Sequence, residues 1–207
     1  MRPILMIEGL KNLHDARYCA AVGISMVTFQ MDSASEEAMT PSVVKEIVEW
    51  LSGLECIGQF GHESSNVITE KATIALIDRV MLPIAYPLEA ASNLAIPLLF
   101  DARDEALSAQ LSQRLQAIHS QLPEALFLLR IDASALASIE WNNLITPVLG
   151  NTILRYDDPQ DIYLQANAQG TLPYGFCLGS FATDQSGYLD YDSCDAFLET
   201  FQSMVPA

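Results

Sequence analysis

The feature that most narrows the fold of this chain is an alternation that runs from end to end. Short, largely apolar runs fall at 3–8, 25–30, 55–60, 78–82, 96–100, 125–131, 151–155 and 174–179. Their length and composition fit parallel strands covered on both faces, which read as unbroken apolar stretches. Between and after them lie helical patterns at 13–22, 41–53, 64–74, 87–93, 104–121, 134–146, 159–168 and 191–203. The first helix is well marked, with Asn12 placed to cap it, Asp15 in its first turn and Gly23 able to close its far end. Thr40 and Pro41 mark the start of the second in the same way. Leu107, Leu111, Leu115 and Ile118 give segment 104–121 one apolar face.

Eight strand–helix units leave two architectures, a closed (β/α)8 barrel and an open doubly wound sheet. An open sheet often carries a glycine-rich phosphate turn after its first strand, but here that turn reads Glu8-Gly9-Leu10-Lys11. No Pro-, Gly- or Ser-rich linker divides the 207 residues. The expected fold is therefore α/β, one (β/α)8 TIM barrel domain over residues 1–207.

Half of the residues are hydrophobic and 17% are charged, a balance that excludes a disordered chain. No apolar stretch approaches the roughly 20 residues that cross a bilayer, and no signal-peptide pattern follows the first strand. Cys19, Cys56, Cys177 and Cys194 are widely spaced, as expected of reduced, buried thiols in a cytoplasmic protein. Ten Lys and Arg against twenty-six Asp and Glu leave a net charge of −16. Such a surface repels nucleic acid and anionic membranes. It also opposes a phosphorylated substrate, unless local amides or cations overcome the general field. His14, His62 and His119 lack metal-ligand spacing, so neither a metal nor another cofactor is expected.

Particular segments carry a family resemblance. The run from Met6 to Ala16, with Glu8-Gly9-Leu10 and Asp15-Ala16, is similar to the first strand and turn of phosphoribosylanthranilate isomerases, where Lys-Ile-Cys-Gly-Leu-Thr precedes Asp-Ala. Ala21 to Ser25 resembles the family's approach to strand two, and Ser35 to Pro41 its Ser-Pro-Arg-Tyr-Val-Ser-Pro segment. Ile57 to Phe60 resembles its Val-Gly-Val-Phe strand, and Gly175 to Asp190 its C-terminal phosphate-loop block.

The resemblance implies an Amadori rearrangement of an aminoaldose phosphate, which requires a general base and a general acid. The family's base is a Cys at the end of strand one; here that position holds Glu8. Glu8 is a carboxylate base, a buried partner of a strand Arg, or simply a carboxylate exposed at the barrel mouth. The family's acid, an Asp after Leu-Leu-Leu, falls on Arg130, while Asp132 lies two residues later on the same strand parity. The Arg implied to hold the substrate carboxylate falls on Glu37, which reverses the charge. The family's Ala-Gly-Gly-Leu after strand seven becomes Leu154 to Asp158 here, and Tyr156 and Asp157 bring side chains to where glycine amides are implied to cradle the phosphate. Gly179 and Ser180 keep part of the eighth-strand phosphate loop, with Phe181 after them. In strand four the family's Gln-Leu-His-Gly becomes Met81 to Ile84.

Three readings follow. The first is a diverged relative without the isomerase activity, with a binding or structural role. The second is a working isomerase of tryptophan biosynthesis that uses Glu8 as base and Asp132 as acid. The third is a different enzyme at the barrel mouth, built on Glu8, Asp101, Arg130, Asp132 and Arg155. For any substrate, Arg130, Arg155, Gly179 and Ser180 are the candidate binding groups. A closed mouth filled by Tyr156, Phe181 and an Arg–Glu network favours the first reading, and a sizeable open pocket with an accessible Glu8 favours the third. A small-molecule ligand at the mouth is the expected partner; the oligomeric state stays open.

Overall fold

A computed structural model describes residues 3–130, 145–156, 173–178 and 188–204. Its strands are β1 (Ile4–Ile7), β2 (Met26–Gln30), β3 (Glu55–Gln59), β4 (Arg79–Pro83), β5 (Leu98–Asp101), β6 (Leu126–Arg130), β7 (Thr152–Tyr156) and β8 (Gly175–Leu178). All pair in parallel with their chain neighbours, and β8 returns to β1 through Ile4↔Gly175 to Ile7↔Leu178, closing the barrel. Helices α1 (Leu13–Val22), α2 (Pro41–Val48), α3 (Ser65–Ala75), α4 (Leu88–Ala91) and α5 (Ala109–Gln121) follow the first five strands. A 3₁₀ helix spans Thr146–Asn151, and a last helix spans Tyr191–Met204. Most of the helical patterns at 134–146 and 159–168 lie outside the described residues.

The local signals act as the residue chemistry requires. The Asn12 side chain accepts from the Asp15 N–H, and Gly23, at φ 85°, ends α1 with its own N–H bonded to the Cys19 carbonyl. Pro41 opens α2, although the Thr40 side chain makes no capping bond. The apolar spacing of 104–121 overshoots at its start. Ser108 caps α5 by accepting from Leu111 N–H, so the preceding acidic segment is left as loop.

Strand parity builds two apolar layers. One side chain in two points into the barrel, where Met6, Met26, Ile57, Leu99, Ile153 and Cys177 pack together. The alternate positions, among them Ile7, Phe29, Phe100, Phe127 and Phe176, pack outward against the helices. The same parity carries β1 from Met6 to Glu8, β3 from Ile57 to Gln59, β5 from Leu99 to Asp101 and β7 from Ile153 to Arg155. The barrel therefore turns polar at its C-terminal end, where enzymes of this fold place their chemistry.

Candidate functional site

Glu8 sits one residue past β1, and Gly9 beside it turns the chain sharply at φ 72°. That turn lets Gly9 N–H donate to the buried Thr28 hydroxyl (2.9 Å) and Leu10 N–H to the Thr28 carbonyl (2.9 Å). The backbone around Glu8 is thereby fixed to β2, and its side chain is only 8% exposed. One carboxylate oxygen lies 2.6 Å from Arg103 Nη1, and the other lies 3.3 Å from Arg155 Nε. Both are charge contacts that lack the alignment of a hydrogen bond. The Cys177 thiol, reaching across the β8–β1 seam, donates to the second oxygen at 3.3 Å.

Arg103 is tied further to Asp101 by a fork. Its Nε lies 2.8 Å from Oδ2 and its Nη2 2.6 Å from the same oxygen. Burial opposes the charge on Arg103, but Glu8 and then Asp101 outweigh it and hold the guanidinium above its ordinary range. Burial, followed by the carboxylate of Glu8, pushes the Cys177 thiol well above its usual value. Cys177 is therefore a neutral donor here and not a thiolate nucleophile.

The cluster floors a cleft of about 320 Å³ that is also lined by Lys11, Asp15, Gln30, Glu37 and Gln59. Glu37 faces Lys11 at 2.6 Å, with both side chains largely in solvent. Arg130 closes β6 in register with Arg155, but its side chain is exposed and it does not line this cleft. Asp132, Asp157, Gly179, Ser180 and Phe181 lie outside the described residues. Of the sequence candidates, the structure thus brings Glu8 and Arg155 together, and Asp101 joins them through Arg103. Arg103 and Cys177 were missed. Parity could have found Arg103, because it stands two residues beyond the inward-facing Asp101.

A second cleft of about 170 Å³ adjoins the first and shares Gln30 and Gln59 with it. The loops beside it are pinned by Lys71, whose ammonium donates to Met31 O (2.9 Å), Ser33 Oγ (2.7 Å) and Glu63 Oε1 (2.6 Å). Burial disfavours the charge of Glu63, but Lys71 and Ser33 outweigh it and hold the carboxyl below its ordinary value. Glu63 therefore contributes stability that is complete above about pH 4.5 and is lost as the pH falls through its lower folded value. Lys71→Met should remove that contribution and move the onset of acid unfolding to higher pH. Circular dichroism against pH would show it, and an unmoved transition would count against the role of the network.

His14 packs edge-on against Tyr188 and Tyr191, and His62 lines the second cleft. Among the described residues no group of three His, Cys, Asp or Glu is placed to hold a metal. All four cysteines are free and buried. No described helix is long and apolar enough to cross a membrane.

No protein-family model matches the chain, and no curated relative does either. Solved structures do. The phosphoribosylanthranilate isomerase of Thermus thermophilus is 18% identical and superposes with a TM-score of 0.76 over 98% of this chain and 100% of its own. That of Thermotoga maritima is 18% identical, with a TM-score of 0.72 over 97% and 99%. The fold is that of the phosphoribosylanthranilate isomerases. A 3-keto-L-gulonate-6-phosphate decarboxylase from Vibrio cholerae is also similar, at 14% identity and a TM-score of 0.63 over the full length of both chains. One barrel thus serves proteins of different activities, and the activity of this one has to be argued from its own side chains.

Proposed function

We propose that this chain is a divergent phosphoribosylanthranilate isomerase-like barrel that has lost the isomerase activity and holds a small molecule at its mouth. The observation that carries the reading is the state of Glu8. A general base needs a carboxylate oxygen within hydrogen-bond reach of the proton it removes. Both oxygens of Glu8 are already engaged, by Arg103 on one side and by Arg155 and Cys177 on the other. A substrate would have to displace a buried guanidinium or thiol to reach them. Glu37, where the resemblance implies a carboxylate-binding Arg, supplies the wrong charge for the same substrate and is matched instead by Lys11. The four buried thiols support a reducing, cytoplasmic setting.

Purified protein is expected to leave phosphoribosylanthranilate unconsumed, and the gene is expected not to rescue a tryptophan auxotroph that lacks the isomerase. Glu37→Arg should not restore turnover, because Glu8 stays clamped. Consumption of the substrate or growth of the auxotroph would overturn the proposal and return Glu8 and Asp132 to the roles of base and acid.

A further inference from the structure

The charges around the two clefts indicate what the mouth accepts. Glu8, Asp15, Asp32, Glu37 and Asp101 line them, against Lys11, Arg103 and Arg155, so carboxylates outnumber cations. Each of those cations already stands on a carboxylate: Lys11 on Glu37, Arg103 on Glu8 and Asp101, Arg155 on Glu8. Arg130, at the end of β6, is not free either. No Lys, Arg or His follows Arg155 in the sequence, so no further side-chain cation comes from that part of the chain. An incoming anion therefore meets paired cations in a field of excess negative charge.

The polar groups left over are amides. Gln30 and Gln59 are register partners on β2 and β3 and line both clefts. Among the described residues the Gln59 side chain makes no hydrogen bond, and Gln30 uses only its Oε1, accepting from Asp32 N–H at 3.1 Å. An amide offers both a carbonyl and an NH2, and a hydroxyl both donates and accepts, so adjacent hydroxyls match this pair. At about 320 Å³ the larger cleft lies at the small end of the roughly 300–1,000 Å³ range of ligand pockets.

We propose that the mouth binds an uncharged polyhydroxyl compound, a free sugar or sugar alcohol, through the amides of Gln30 and Gln59. The inference rests on the binding reading above and narrows it to a ligand class. Titration calorimetry of the full chain with D-ribose, D-xylose, D-glucose and sorbitol, beside ribose 5-phosphate, glucose 6-phosphate and inorganic phosphate, tests it. At least one neutral compound should bind saturably, and a phosphorylated counterpart at least about tenfold more weakly. Gln59→Leu should weaken the neutral ligand about tenfold, as the loss of well-formed hydrogen bonds would. It should leave the urea midpoint unchanged. Tighter binding of a phosphorylated sugar or of phosphate, or no binding of any neutral compound, overturns this inference. Turnover of phosphoribosylanthranilate overturns the reading beneath it instead, so the two failures are distinguishable.

Discussion

Arg103→Met is expected to lower the free energy of unfolding by about 3–5 kcal/mol, the range seen when one partner of a buried ion pair is removed. Arg103 is the only group that touches both Glu8 and Asp101 among the described residues, and its side chain is 15% exposed. Without it, Glu8 keeps the Arg155 contact at 3.3 Å and the Cys177 thiol, while Asp101 loses its fork. Methionine fills most of the volume, so the loss reflects stranded charge and not an empty cavity. The double variant Glu8→Gln/Arg103→Met should recover part of the loss, because it removes one of the two stranded carboxylates. A contrast comes from Lys11→Met. Its ion pair with Glu37 is solvent-exposed, and its removal should cost less than about 1 kcal/mol. Urea denaturation of the three variants measures all of this. A loss under about 1 kcal/mol for Arg103→Met would mean that water reaches the cluster, and the argument that Glu8 is closed to substrate would fail with it.

Why Arg103 escaped notice is a matter of physical range. The barrel was legible because parallel strands buried on both faces must be short and apolar, and the caps of α1 lie within a few residues of one another. The candidate site depends on contacts without a local signature. Cys177 meets Glu8 across the closure of the barrel, 169 positions along the chain, and nothing near either residue announces it. Glu8 itself was readable as a departure from a family pattern, and ion pairing with a strand Arg was one of its three readings. The Arg155 contact fits that reading, but the closer partner came from a loop. There the leucine spacing extended the predicted helix back over 104–107, whereas Ser108 starts α5 later and leaves Arg103 free to turn inward. Gln30 and Gln59 are ordinary strand-end residues until closure of the barrel places them between two clefts.

Asp15→Ala should destabilise the fold by about 3 kcal/mol, through a mechanism unlike that of Arg103. Asp15 is 2% exposed, and its carboxylate is an acceptor shared by three donors from two ends of the chain. Asn12 Nδ2 donates at 2.7 Å, Leu189 N–H at 3.3 Å, and the Tyr191 hydroxyl closes the set with a short bond. Alanine leaves the Leu189 N–H in a site from which water is largely excluded and takes the acceptor from the Asn12 and Tyr191 side chains, and a buried unsatisfied donor costs about 1–3 kcal/mol. The sum stays below three full penalties because Asn12 and Tyr191 are only partly buried and can turn to solvent. The Asn12 cap on Asp15 N–H is a backbone contact and survives the change. What is lost is the tie between the β1–α1 turn and the start of the last helix, and Tyr191 reports on that tie directly. Burial, then the bond to Asp15, raises its phenol above the usual value. In Asp15→Ala the ultraviolet titration of Tyr191 should therefore move to lower pH as stability falls. A destabilised variant with an unmoved phenol would show that burial alone holds Tyr191, and that the Asp15 carboxylate does not bridge the two ends.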